Sequence, residues 1–337
     1  MLNLVTTYNE SVEVICREIM DCGEGDQIVF SLYIWEPGLS SERVLGEIEK
    51  AVQRGAFVIF DIDRSYVVRF ARFVEKTKTF IDELAALETK YPSNVSRSKG
   101  FFPNHKKYYL FKRGNKLSTL IFGSMNLGDR FSDWKDVLVV FKDLEIGNVV
   151  YDRFTLGKNA KTSETSPIKI AANEPSRKIF EVEPALAELF KDKSFDNYKV
   201  VTPYIDRRGG ALLQKALDHG AKIQLIIPAC ANIYQNANMR TLTAFSRNEG
   251  VTIYLYKKMI HVKEVLATGD NNIKSCIGSA NLKKNSFDTL GEFNCIISDF
   301  ELNKQVAVEF ESILCDCKLF APTPYKKIMS RLEEFFG

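Results

Sequence analysis

HVKEVLATGDNNIKSCIGSANLKKNSFDTLGE, residues 261–292, is the stretch whose reading decides the fold. His261 and Lys263 stand at i and i+2, so on an extended strand the imidazole and the ammonium share one face. Gly278-Ser279-Ala280-Asn281 follows, adding a hydroxyl and an amide beside a glycine that lets backbone come close. Glu292 ends the stretch with a carboxylate suited to orienting an imidazole. Together these groups fit an anionic phosphate.

Each piece alone is weak: a His-x-Lys pair on a strand is ordinarily a surface feature, and Gly-Ser-Ala-Asn is ordinarily a turn. The pattern, however, occurs twice. His105-Lys106-Lys107 precedes Gly123-Ser124-Met125-Asn126 and then Asp136. The two copies lie 156 residues apart at the histidines, 155 at the asparagines and 156 at the carboxylates. Of only three histidines, two occupy matching places, and His219 is expected to be solvated near a helix end.

This arrangement resembles the phospholipase D superfamily, whose paired H-x-K and G-S-x-N motifs come from two halves of a duplicated chain. Residues 123–131, with Trp134 and Asp136, look like the first motif of the cardiolipin synthase-like branch. Gly278-Ser279-Ala280-Asn281-Leu282 with Ser286 and Glu292 looks like its second. The resemblance implies an α/β fold of two similar lobes, each a mixed β-sheet flanked by helices, with one site built from both motifs. It also implies a covalent phosphohistidine, with His105 as nucleophile and His261 as acid, an order that the near symmetry of the copies also permits to be reversed. The family's aspartate five residues after the lysine is replaced here by Lys112 and Thr268.

Duplication is visible apart from the histidines. Apolar residues at helical spacing predict a helix over 8–20, followed by a buried strand over 27–35, a helix over 43–54 capped by Ser40 or Ser41, and a strand over 56–63. Residues 198–206, 212–219 and 223–227 repeat that strand, helix, strand order, with Tyr204-Ile205 matching Tyr33-Ile34. Residues 1–156 are therefore expected to form an N-terminal lobe, 157–177 a polar linker, and 178–337 a C-terminal lobe. Amphipathic helices are expected over 66–91 and 324–337, and a loop over a substrate cleft at 228–239.

No run approaches the roughly 20 apolar residues of a membrane span, and the N-terminus lacks the layout of a secretory signal. Seven scattered cysteines, without paired metal spacing, point to reduced thiols and a cytoplasmic protein; with a phospholipid substrate, peripheral contact with a membrane is expected. A net charge of +3 is small for a general nucleic-acid binder, although Arg97, Lys99, Lys106, Lys107, Lys112, Arg113 and Lys116 crowd the first motif.

The expected chemistry divides the two imidazoles between attack on phosphorus and protonation of the leaving oxygen. Lys107, Lys263, Asn126 and Asn281, with Ser124 and Ser279 beside them, would hold the phosphate oxygens. Asp136 and Glu292 would fix the histidine tautomers. No metal or other cofactor is expected, because lysines stand where a metal enzyme would place carboxylates. The expected substrate is a phospholipid, processed by a phospholipase D or phosphatidyltransferase. The competing reading is a metal-independent nuclease acting on DNA. One chain supplies both half-sites, so this reading requires no particular oligomer.

Overall fold

The computed structural model describes residues 2–62, 74–98, 103–231 and 238–321. It divides into two compact units. The first comprises 1–133, 137–166 and 290–293, and the second 134–136, 167–289 and 294–337. Two short segments thus belong to the unit built mainly from the other half of the sequence, and both carry a carboxylate of the repeated motif.

The first unit contains β1 (Leu2–Val5), β2 (Gln27–Leu32), β3 (Phe57–Ile62), β4 (Val95–Arg97), β5 (Tyr108–Arg113), β6 (Leu117–Gly123) and β7 (Leu138–Lys142), in the order β1-β7-β6-β5-β2-β3-β4. The second sheet is formed by β8 (Ile168–Glu174), β9 (Ile179–Phe180), β10 (Asn197–Val201), β11 (Lys222–Pro228), β12 (Val251–Tyr256), β13 (Glu264–Thr268), β14 (Ile273–Gly278), β15 (Glu292–Ile297) and β16 (Cys317–Leu319). Its order is β16-β12-β11-β10-β13-β14-β15-β8-β9.

The duplication is explicit in the pairing. β2 runs parallel to β3 and antiparallel to β5, as β10 does to β11 and β13. β5-β6-β7 and β13-β14-β15 are the matching antiparallel runs. Helices Tyr8–Met20, Leu39–Gln53, Val182–Lys191 and Arg207–Leu217 bury one apolar side each, the stripe their 3.6-residue spacing predicts. Beneath the first sheet, Phe30 stacks on Trp35 at 5.3 Å and meets Tyr109 edge-on at 5.1 Å. In the second unit, Val182, Leu186, Phe190, Val200, Leu213 and Leu225 lie in one core cluster.

Several expectations are corrected. The first βαβ helix begins at Leu39, and neither serine side chain caps it. Instead the Asp129 carboxylate accepts from the Leu39 and Ser40 N–H groups at 2.7 and 3.0 Å, 90 and 89 residues away in sequence. A cap supplied from such a distance leaves no local signature. Within the expected linker, Ile168–Glu174 is strand β8, whose Asn173 is wholly buried and donates to the carbonyls of Ser286 and Phe287. His219 is half-buried, its Nε2 3.2 Å from the Phe190 carbonyl, so it belongs to the packing of its unit.

All seven cysteines are free thiols. No helix among the described residues is long and apolar enough to cross a membrane. The expected C-terminal helix, residues 66–73 of the expected amphipathic stretch, and the middle of the 228–239 loop lie outside the described residues. Val74–Lys90 is a helix.

Candidate active site

The His-x-Lys triplets do not lie in strands as the alternation argument supposed. Each stands immediately before one: His105 to Lys107 before β5, and His261 to Lys263 before β13. In the first unit, His105 N–H donates to the Gly291 carbonyl at 2.7 Å and Gly291 N–H to Pro103 at 2.8 Å. In the second, His261 N–H donates to the Lys135 carbonyl at 2.8 Å and Lys135 N–H to Met259 at 3.1 Å. The same backbone clamp therefore holds both histidines.

The clamp delivers a carboxylate to each ring. Nδ1 of His105 lies 2.9 Å from Oε2 of Glu292, and Nδ1 of His261 lies 3.1 Å from Oδ1 of Asp136. Each histidine thus takes its carboxylate from the other copy of the motif. A carboxylate only accepts, so the proton in each contact sits on Nδ1, and Nε2 is the ring nitrogen that the carboxylate does not engage. Both rings also rest on aromatics: Tyr33 is 4.7 Å from His105 and Trp134 is 5.2 Å from His261, centroid to centroid.

Lys107 and Lys263 are almost wholly buried, at 0% and 2% exposure. Each Nζ donates to the carbonyl of the histidine two residues earlier, at 3.0 and 2.5 Å. An ammonium has three donors, and this contact directs one of them along the backbone of its own motif. Lys107 Nζ also lies over the Tyr33 ring at 5.3 Å. Burying such charges is costly unless they are paired or hydrogen-bonded, and both are hydrogen-bonded to a histidine carbonyl.

The Gly-Ser-x-Asn segments leave β6 and β14 at these lysines. Gly123 N–H donates to Lys107 and Gly278 N–H to Lys263, both at 3.2 Å. A Cβ on Gly123 would lie 2.1 Å from the Val137 carbonyl oxygen, so only glycine fits there. Ser124 Oγ accepts from Val137 N–H at 3.2 Å, and Ser279 is fully buried. The Oδ1 atoms of Asn126 and Asn281 are buried with no hydrogen-bond partner. Turning either amide end for end puts Nδ2, a donor, in that place. The same polar demand is thus built into both halves.

Of the basic cluster near the first motif, most members are already engaged. Arg97 pairs with Glu88 at 2.7 Å, Lys106 with Asp61 at 2.9 Å, and Arg113 with Glu18 at 2.5 Å. Lys112 lies over the Tyr151 ring and Thr268 donates to the Asn197 carbonyl, so the replacements for the family's aspartates are spent on local structure. Lys99 lies outside the described residues. No group of three or more His, Cys, Asp or Glu side chains among the described residues is arranged to hold a metal ion.

The chain is similar to several known proteins. Residues 190–314 match the family model described as cardiolipin synthase, PLD-like domain. Cardiolipin synthase 1 of Staphylococcus epidermidis is 24% identical over 97% of this chain and 70% of that protein. Among solved structures, the phosphatidylserine synthase of Haemophilus influenzae superposes with a TM-score of 0.75 at 13% identity, over 99% of this chain and 93% of its own. The polyphosphate kinase of Porphyromonas gingivalis gives 0.63 at 13% identity, over 99% of this chain and 53% of its own.

With the duplicated α/β fold and the doubled motifs, these similarities support a likeness to the phospholipase D superfamily. Within it, the resemblance is to the cardiolipin synthase-like branch.

Sequence reasoning missed Tyr33 as a site residue, although its match with Tyr204 in the repeat was a usable signal. Tyr204 also lies beneath a lysine, Lys283, at 5.6 Å.

Proposed function

We propose that this chain breaks and remakes phosphodiester bonds of phospholipids, as a phospholipase D or phosphatidyltransferase working through a phosphohistidine. The observation that carries the reading is the pair of buried His–carboxylate contacts, each with a buried lysine two residues beyond the histidine. The family resemblance favours an enzyme acting on phosphodiesters, and the similarity to cardiolipin synthase 1 along nearly the whole chain favours lipid over DNA. Fold alone does not choose a substrate, since a phosphatidylserine synthase and a polyphosphate kinase both superpose on it.

In the proposed reaction, Nε2 of His105 attacks phosphorus, forming a P–N bond as the P–O bond to the leaving alcohol breaks. Protonated His261 gives its Nε2 proton to that departing oxygen. Water or an acceptor alcohol then loses its proton to the now neutral His261 and attacks phosphorus, and the P–N bond breaks. Lys107, Lys263, Asn126 and Asn281 balance charge on the non-bridging oxygens. Glu292 and Asp136 hold each ring in the tautomer the step requires and stabilise its cationic form.

The test offers phosphatidylglycerol or phosphatidylcholine liposomes in one tube and single-stranded and duplex DNA in another, both with excess chelator. Release of phosphatidic acid, or a new phosphatidyl ester when glycerol is added, is the expected result, with DNA intact. Cleaved DNA beside untouched lipid, abolished in His105→Ala, would favour the nuclease reading instead.

A further inference from the structure

Lys135 stands between the two residues that touch His261. Trp134 packs on the imidazole, Asp136 binds its Nδ1, and the Lys135 backbone holds His261 N–H and reaches Met259. The Lys135 side chain pairs with Glu309 on helix Phe300–Leu314. Both partners are largely shielded, at 21% and 12% exposure, so solvent screens the pair only partly. The field around the pair also includes Glu264, a buried carboxyl one residue beyond Lys263 with no hydrogen-bond partner.

The other histidine lacks this arrangement. Gly291, which makes the corresponding backbone clamp on His105, has no side chain, and Tyr108 stands where the second copy has Glu264, packing on Phe293 at 4.9 Å. Main-chain hydrogen bonds and the carboxylate contact are common to both clamps, whereas the ion pair occurs only at His261.

We propose that Lys135 is a positioning residue for the His261–Asp136 pair, its ion pair with Glu309 pinning the three-residue segment that carries Asp136. The inference rests on His261 being a reacting group. Without the pin, the segment keeps two backbone hydrogen bonds but is free to shift by the few tenths of an ångström that a 3.1 Å contact does not tolerate.

The test uses the full chain. Lys135→Met alone strands the largely buried Glu309 charge and risks unfolding, so it is paired with Lys135→Met/Glu309→Leu, which removes the pin without an orphaned charge, and with Lys135→Arg. Proton NMR at low temperature reads the two carboxylate-bound Nδ1–H signals, assigned by their loss in His105→Ala and His261→Ala. The expected result is that the folded double variant broadens or loses the His261 signal and keeps the His105 signal, with Lys135→Arg restoring both. In parallel, kcat on phospholipid falls about 10- to 100-fold with KM little changed, the size expected of a misplaced reacting group. A sharp His261 signal with wild-type kcat in the double variant overturns the pin while leaving the proposed activity standing. Loss of the signal in an enzyme that turns over no phosphodiester upholds the pin and overturns the activity instead.

Discussion

His105 and Glu292 are 187 residues apart in the chain, yet Nδ1 of the one lies 2.9 Å from Oε2 of the other. Asp136, which follows His105 in the same motif copy, is bonded to His261 instead. Exchange of carboxylates between the copies means that neither half of the sequence contains a complete histidine–carboxylate pair. This is consistent with the division into units, in which 134–136 and 290–293 each leave the half they are encoded in.

The exchange predicts which substitution affects which histidine. Glu292→Gln should abolish the downfield Nδ1–H signal of His105 and leave that of His261, and Asp136→Asn should do the reverse. Each should also lower kcat by about 10²- to 10⁴-fold, the scale seen when a tautomer-fixing carboxylate is neutralised. Loss of the signal belonging to the same motif copy, His105 with Asp136→Asn, would contradict the pairing.

Gly123 and Gly46 make opposite predictions for the same substitution. A Cβ on Gly123 would meet the Val137 carbonyl at 2.1 Å, whereas one on Gly46, inside helix Leu39–Gln53, meets nothing within 4 Å. Gly123→Ala should therefore destabilise the fold by more than about 2 kcal/mol through backbone displacement. Gly46→Ala should stabilise it by about 0.5–1 kcal/mol through helix propensity. Urea unfolding of both variants checks this, and equal midpoints would refute the steric account.

Glu264 gives stability a pH dependence. Burial, then the nearby Glu309 charge, push its carboxyl from an ordinary 4.5 up to about 8, with Lys135 acting the other way. The folded chain holds this proton where the unfolded chain has lost it. This contribution to stability is present below about pH 4.5 and is lost as pH rises through 8. The slope across that window is at most about 1.4 kcal/mol per pH unit. Glu264→Gln should flatten the fall in unfolding free energy between pH 5 and 8, and an unchanged slope would assign the proton elsewhere.

The candidate site residues stood out in the sequence because the duplication printed them twice at a constant offset, and only three histidines occur in the chain. Both βαβ repeats were legible for a related reason, since dense apolar runs ended by glycine mark strand and helix boundaries locally. What escaped was set by distant contacts. The cap on helix Leu39–Gln53 comes from Asp129, the carboxylates cross between copies, and Lys135 acquires meaning only beside Glu309. Strand β8 escaped because it reads as polar connection: Asn173 is buried there by hydrogen bonds that replace apolar packing.

The measurement that most directly tests the central claim is to catch the covalent intermediate. His261→Ala and His105→Ala, each incubated with phosphatidylglycerol liposomes and chelator, are digested under neutral conditions and their peptides weighed by mass spectrometry. The account predicts a phosphatidyl adduct on the His105 peptide of His261→Ala, no adduct in His105→Ala, and loss of steady turnover in both. Near wild-type turnover of lipid by either variant, or an adduct on a residue other than histidine, would contradict it.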